Sequence, residues 1–422
     1  MKIHFERDLP ALLFALVCAS VVASLPQVES AWNGVQETYG EQDFGLRILR
    51  EAMLLVVVTY SFFEPRFRRG ALSGKSFAFL SIIATYALFE VGYALYLDLP
   101  LAVPIAGLRV FEYLPLALIG FMVSRLGAGE LVLQKFASYL RYYIVIQGVL
   151  AVSQALWAPT MFGVSILGGG RPWGTFVSPN LFGAAMATCT MVFSMTGVLG
   201  MRKWMYFSVL LAILSGSRTS MFSAFLVLFF RACEAVRARD RWALVLSAPV
   251  LAIGFLFLAS TPLLSGRQDA DLAEEGRIAP WLNTLTTNIN GPSDLLFGWG
   301  LGLGSNTITV MFGADHFPGQ FISDSLYLFL LNGYGLIGVM AYLSLLWMSS
   351  QLSGHRSKLV VTTFIFVAGI PFNLWEYFPQ NAILMFLWGL VLGTPRKALP
   401  LYAPVRVAQD VEVGGPVQSG ER

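Results

Sequence analysis

Few residues in this chain can do chemistry, and they are unevenly placed. Arg218 stands in "LSGSRTS" (214–220) and is the only charge between Trp204 and Phe230. A guanidinium in so apolar a run costs about 2.5 kcal/mol or more unless it faces protein or a water-filled cavity, so its default reading is functional. Arg171 lies in "GGGRPWGTFVSPNLFGAAMA" (168–187), where Pro179 and Asn180 fall within the first turns of an apolar run, a pattern that suits a broken helix end. Arg267 and Arg277 complete a set of four. Guanidinium forks hold phosphate oxygens bidentately and stay charged in apolar settings, so the set reads as an anion site. The competing reading pairs these arginines with acids such as Asp271, Glu274 and Glu275, or with lipid headgroups. Asp324 opens "FISDSLYLFLLNGYGLIGVMAYL" (321–343) and can serve as general base, as arginine partner or, with Ser323, as helix cap. His316 is a second candidate base, or a solvated loop histidine. "GWGLGLGSN" (298–306) has G-x-G spacings but no strand–helix unit around it, so it reads as a turn or a phosphate contact and not as a dinucleotide fingerprint. No cluster has metal-ligand spacing, so neither a metal centre nor a cofactor is expected.

The elements that must position these residues are membrane helices. The chain is 56% hydrophobic and only 13% charged, and its apolar runs have the length that crosses a bilayer. Period-two alternation is absent, which excludes a barrel. The expected class is an all-α integral membrane protein with about twelve spans. They are placed at 9–25, 46–63, 76–97, 101–124, 136–158, 175–199, 204–214, 219–236, 242–260, 323–348, 359–372 and 381–393. The first run is read as a retained helix rather than a cleaved signal. Cys18, Cys189 and Cys233 lie in or beside spans, so no disulfide framework is implied. Trp157, Trp173, Trp299 and Trp375 suit interface positions. Within spans, Arg109 is expected to pair with Glu112, and Arg47 with Glu51.

Charge sets the orientation. Of 28 basic residues, all but Arg47, Arg50, Arg109, Arg141, Arg171, Arg218, Arg267 and Arg277 fall on one side of this topology, which makes that side and both termini cytoplasmic. Reading 204–230 as one span would put its flanking basic clusters on opposite sides, so the chain is expected to turn at "SGSRTS". Arg218 then lies about 22 Å from Lys203 at helical rise, in the outer half of the core. The organisation is N-terminal helices over 1–150, central helices with the arginine motif over 151–260, an outer loop over 261–322, C-terminal helices over 323–394 and a polar cytoplasmic tail over 395–422. Within the loop, "EEGRIAPWLNTLTTNI" is read as an amphipathic surface helix. The net charge of +3 is too small to suggest nucleic acid.

In that order, "RPWGTFVSPNLFG", "LSGSRTS", "SGR" at 265–267, "GRIAPW", "LFGWGLGLGSN" and "SDSLYLFLLNGYGLIG" resemble the O-antigen ligase/polymerase superfamily over about 150–345. The N-terminal spans match it only in hydropathy. The resemblance implies a GT-C-like glycosyltransferase of the bacterial inner membrane, independent of metal, with its loop in the periplasm. Its donor and acceptor would be glycans linked to undecaprenyl pyrophosphate, and its partners a chain-length regulator and a flippase. Arg218 and Arg277 match the family's arginine positions best, with Arg171 and Arg267 as helpers on the pyrophosphate. Ligases of the family begin the helix after the loop with a His-Asn pair, where this chain has Asp324 and Ser325. That departure resembles Wzy-type polymerases, which join repeat units into O-antigen or exopolysaccharide. The alternatives are a ligase moving glycan to lipid A-core and, in another class, a transporter or flippase of lipid-linked sugars.

Overall fold

The structure is a computed structural model describing residues 5–33, 44–65, 67–68, 74–108, 111–160, 165, 167–176, 178–235, 285–286, 289, 291–303, 305, 308, 312, 316–317, 325–352, 356–369 and 379–394. Among them every regular element is helical. The helices are α1 (Phe5–Trp32), α2 (Phe44–Phe63), α3 (Gly74–Tyr96), α4 (Ala102–Leu108), α5 (Leu114–Arg125), α6 (Gly129–Trp157), α7 (Pro179–Met195), α8 (Arg202–Leu214), α9 (Arg218–Ala235), α10 (Pro292–Phe297), α11 (Leu326–Leu352), α12 (Arg356–Gly369) and α13 (Gln380–Gly393). Three stretches, Glu6–Pro26, Gly129–Trp157 and Leu326–Ser349, are long and apolar enough to cross a membrane. The expected ninth span (242–260), nearly all of the expected surface helix in the outer loop, and the tail lie outside the described residues.

Most apolar runs end within a few residues of the helix they form. The run at 101–124 does not form one helix. It divides into α4 and α5, because Pro115 sits in the first turn of α5, where a missing N–H is harmless, and would break a continuous helix. The run at 323–348 is interrupted at Gly335, whose φ of 61° and ψ of −166° are not helical. A side chain there would collide with the Leu296 carbonyl at the end of α10. Glu51 pairs with Arg50; the side chain of Arg47, its expected partner, lies outside the described residues. Cys18 and Cys189 are free thiols.

The centre of the bundle is α7, buried continuously from Phe182 to Ser194. A helix apolar on every side must be surrounded by others, and α6, α8, α9 and α13 pack around it. In α6 the faces divide: Phe136, Leu140, Tyr143, Gln147, Ala151 and Gln154 are buried, whereas Tyr142, Ile146, Val149 and Trp157 are 62%, 55%, 63% and 72% exposed. So large an exposed apolar face suits a hydrocarbon solvent.

The tightest crossing joins α5 to α13. A Cβ on Gly389 would meet the Ala117 carbonyl oxygen, one on Gly120 the Phe386 carbonyl, and one on Gly393 the Phe121 carbonyl. Small residues four apart let two backbones approach where lipid supplies no hydrophobic drive. Gly389→Leu is therefore expected to lose at least about 1–3 kcal/mol and to lower the unfolding temperature of the detergent-purified protein by several degrees. Gly92→Ala, whose added Cβ meets nothing within 4 Å, should leave it unchanged. Equal behaviour of the two variants would refute the close-packed seam.

Candidate functional site

Within "LSGSRTS", Ser215, Gly216 and Ser217 form a three-residue turn between two helices. Helix α8 ends at Leu214, and the Gly216 N–H bonds to the Ile213 carbonyl at 2.9 Å. Gly216 takes φ +65°, the left-handed geometry that closes a helix C-terminus at little cost for glycine. Ser215 Oγ then accepts the Ser217 N–H at 3.1 Å. Ser217 caps α9: its Oγ accepts the Ser220 N–H at 3.4 Å and its carbonyl the Met221 N–H at 3.0 Å. Two helices, and not one, run through 204–230, and Arg218 is the first helical residue of the second.

Arg171 reaches this turn from a distant segment. It is 7% exposed, and its Nε and Nη2 both donate to the Ser215 carbonyl, at 3.2 and 3.1 Å. That carbonyl is one of the acceptors a helix C-terminus leaves over, at the negative end of the helix dipole. Arg171 thus pins its loop to the hairpin, three residues ahead of Arg218.

The loop itself is non-helical backbone inside the bundle, so each polar group needs a protein partner. Two glutamines of α6 supply most of them. Gln154 Oε1 accepts the N–H groups of Trp173 and Gly174 at 2.9 and 2.7 Å, and its Nε2 donates to the Gly174 carbonyl at 2.9 Å. Two turns earlier, Gln147 Oε1 accepts the Thr175 N–H at 3.1 Å, and its Nε2 donates to Thr175 Oγ1 at 2.6 Å. Gly169 and Gly170 donate to the carbonyls of Ala155 and Ala158 at 2.8 and 2.9 Å. Ser24 of α1 donates to the Thr175 carbonyl. Gly174, at φ +57°, leaves no room for a Cβ beside Gln147 and Phe182. Ser178 then caps α7 with Pro179 in its first turn, so the broken-end reading of this segment holds. Trp173 is wholly buried, a correction to its expected interface position, because its backbone is tied to Gln154.

Helix α7 comes against the hairpin at Gly183. A Cβ there would stand 2.5 Å from both Ser215 Oγ and Ser220 Oγ. Arg218 itself is half-buried and makes no hydrogen bond or ion pair with the described residues. The structure therefore brings Arg171 and Arg218 to one turn and gives them different work. Arg267, Arg277 and Asp324 lie outside the described residues.

His316 belongs to another neighbourhood. Its exposed ring stacks on Phe312 at 5.7 Å and meets Phe317 edge-on at 4.6 Å. Both phenylalanines pack on Ala94, Leu99, Val103, Ala106, Leu303 and Ile308. The glycine-rich 298–303 segment is a turn packed into protein. Gly298, Gly300 and Gly302 have φ of +74°, +105° and +101°, Trp299 N–H donates to the Asn332 carbonyl at 2.8 Å, and a Cβ on Gly107 would stand 2.5 Å from Gly302 N.

Gln147, Gln154 and Gly183 are absent from the sequence-based candidate set. The available signal was two amides seven residues apart on one face of an apolar helix, a spacing that only a segment needing hydrogen bonds explains. No protein-family model and no curated protein matches the chain, so its functional reading rests on these residues.

Gln154→Leu would leave two N–H groups and one carbonyl without partners, at about 1–3 kcal/mol each. We expect a marked fall in the thermal unfolding temperature. Gln134→Leu, on the same helix, removes only an exposed bond to Glu130 and should change it little. A Gln154→Leu protein as stable as its parent would remove the glutamine clamp as the loop's support.

Proposed function

We propose that the chain is a polymerase of oligosaccharide repeat units linked to undecaprenyl pyrophosphate, a GT-C-like glycosyltransferase working at the periplasmic face of the inner membrane. One observation carries the reading: an arginine with no hydrogen-bond or ion partner among the described residues occupies the first residue of the 18-residue helix α9. A cation at a helix N-terminus works against the dipole by about 0.3–1 kcal/mol. An anion bound there reverses the sign of that term and satisfies N–H groups the helix leaves open.

Depth supports the same reading. Helix α8 has 13 residues, about 20 Å at helical rise. With Arg202 and Lys203 at the inner interface, as the charge distribution requires, the turn at 215–217 stops short of the outer face of a ~30 Å core. A pyrophosphate on a lipid carrier comes to that level. Arg218 would hold it, with Arg277 and Arg267 arriving from the outer loop, and Arg171 would fix the turn on which Arg218 stands. The acceptor hydroxyl oxygen bonds to the anomeric carbon of the donor sugar. The bond from that carbon to the pyrophosphate oxygen breaks, its electron pair staying on the pyrophosphate beside the arginines. Asp324 takes the hydroxyl proton.

The test is elongation by the purified protein given lipid-linked repeat units and no membrane gradient. Product longer than the substrate supports the polymerase; transport without elongation supports a carrier, and transfer only to lipid A-core a ligase. Arg218→Lys keeps the charge and loses the fork, so the variant should fold and be nearly inactive. Asp324→Asn should reduce turnover by about 10²–10⁴-fold while lipid-linked substrate still binds. Normal polymer from Arg218→Lys would remove the anion site, and normal polymer from Asp324→Asn would remove the base.

The face of the site has its own check. Cysteines at Gln268 and Gly313 should react with an impermeant thiol reagent in intact cells, and one at Ser357 should not. The reverse pattern would overturn the topology.

A further inference from the structure

Helix α3 carries an acid that neither the fold nor the proposed transfer uses. Glu90 is 2% exposed, its Oε2 has no hydrogen-bond partner, and no basic side chain pairs with it among the described residues. An ionisable group so placed in a membrane helix is a functional signal by default. Its position is also particular. Tyr86, one turn earlier, stacks on Tyr334 of α11 with ring centroids 6.2 Å apart. Phe111 meets the same Tyr334 edge-on at 6.3 Å, and Tyr334 immediately precedes the break of α11 at Gly335. Glu90 therefore stands at the seam where α3 packs on an interrupted helix, about 9 Å along the axis from the α3 terminus at Tyr96.

We propose that Glu90 is a proton-exchange site of the membrane domain, holding a proton while α3 is packed on α11 and yielding it when water enters the seam. An ionised buried carboxylate with only the Tyr86 phenol beside it is too costly to persist in the packed arrangement, and the described residues around it offer no compensating charge. On α3 the titratable neighbours are the phenols of Tyr86 and Tyr93. From α11 comes the phenol of Tyr334, and from α10 Asp294, which acts on Tyr93. Helix α4 and the 298–303 turn contribute no titratable side chain. The acid near Phe111, Glu112, lies with Arg50 and Glu51. The ligand this chemistry selects is a hydrogen ion. Acid keeps the seam packed, and loss of the proton draws in water and loosens Tyr86 from Tyr334.

The inference is independent of the reaction proposed above, and its test reads no activity. The full-length protein in lipid vesicles is treated with dicyclohexylcarbodiimide, which adds across the O–H of a protonated carboxyl in an apolar setting, and the modified peptide is identified by mass spectrometry. The expected result is an adduct on Glu90 whose yield falls as pH rises, by about tenfold per unit once the carboxyl titrates. Glu90→Gln should lose the adduct, and a water-soluble carbodiimide should not form it. No adduct on Glu90 at any pH from acid to neutral overturns the site. Equal modification by the water-soluble reagent overturns it too, because the carboxyl would then be open to water. Both readings come from the unsubstituted protein and do not depend on the variant folding.

Discussion

The whole site depends on keeping non-helical backbone out of water without leaving its polar groups bare. A loop in an apolar bundle is stable only if protein replaces every hydrogen bond that water would have made. Here the replacement comes mainly from two amide side chains on one face of α6, aided by carbonyls at that helix's end and a serine of α1. An amide suits the task because it accepts with one atom and donates with the other, so Gln154 alone answers three backbone groups. A charged side chain would answer donors or acceptors but not both. The clamp holds the loop so that Arg171 can reach the Ser215 carbonyl.

Close approach is the second requirement, and the same residue type meets it at two seams. Gly183 lets α7 lie on the hairpin turn with Ser215 and Ser220 against its backbone, while Gly120, Gly389 and Gly393 let α5 and α13 touch backbone to backbone. In a soluble protein such crossings would cost buried apolar area. In hydrocarbon that area has no value to lose, and packing at short range is what remains. The central burial of α7 and α13 follows, since both need partners on every side.

What could be read from the sequence follows from which forces are local. Hydropathy marks helices wherever an uninterrupted apolar run meets a turn signal, so α7, α8, α9, α12 and α13 fall close to their expected places. The basic clusters flanking 204–230 identified the hairpin, because a single span would put them on opposite sides of the membrane. The division of the fourth run was also legible, in Pro115, but length and hydropathy outweighed it. Trp173 and the break at Gly335 were not legible, because both are set by partners far along the chain: Gln154 for one, the end of α10 for the other. A tryptophan beside a polar loop has the same local signature at an interface as in a core, and a glycine in an apolar run looks alike whether the helix bends there or continues. The glutamines were visible as polar residues in a span, but the segment they hold became visible only with the loop in place.

The contrast between Arg171 and Arg218 shows how two identical side chains acquire opposite roles. A tight helical hairpin puts the C-terminus of α8 and the N-terminus of α9 side by side, with partial charges of about −0.5 and +0.5 that nearly cancel at a distance. Arg171 donates twice to the C-terminal carbonyl and so masks the negative end. What the turn then presents is the positive end of α9, its open N–H groups and the guanidinium of Arg218. The first arginine is stabilised by the helix it caps. The second is opposed by the helix it begins, and no described side chain offsets that opposition. A locally unfavourable charge at the one point where its neighbours have masked the opposing end of the hairpin is the physical ground on which the proposed anion site rests.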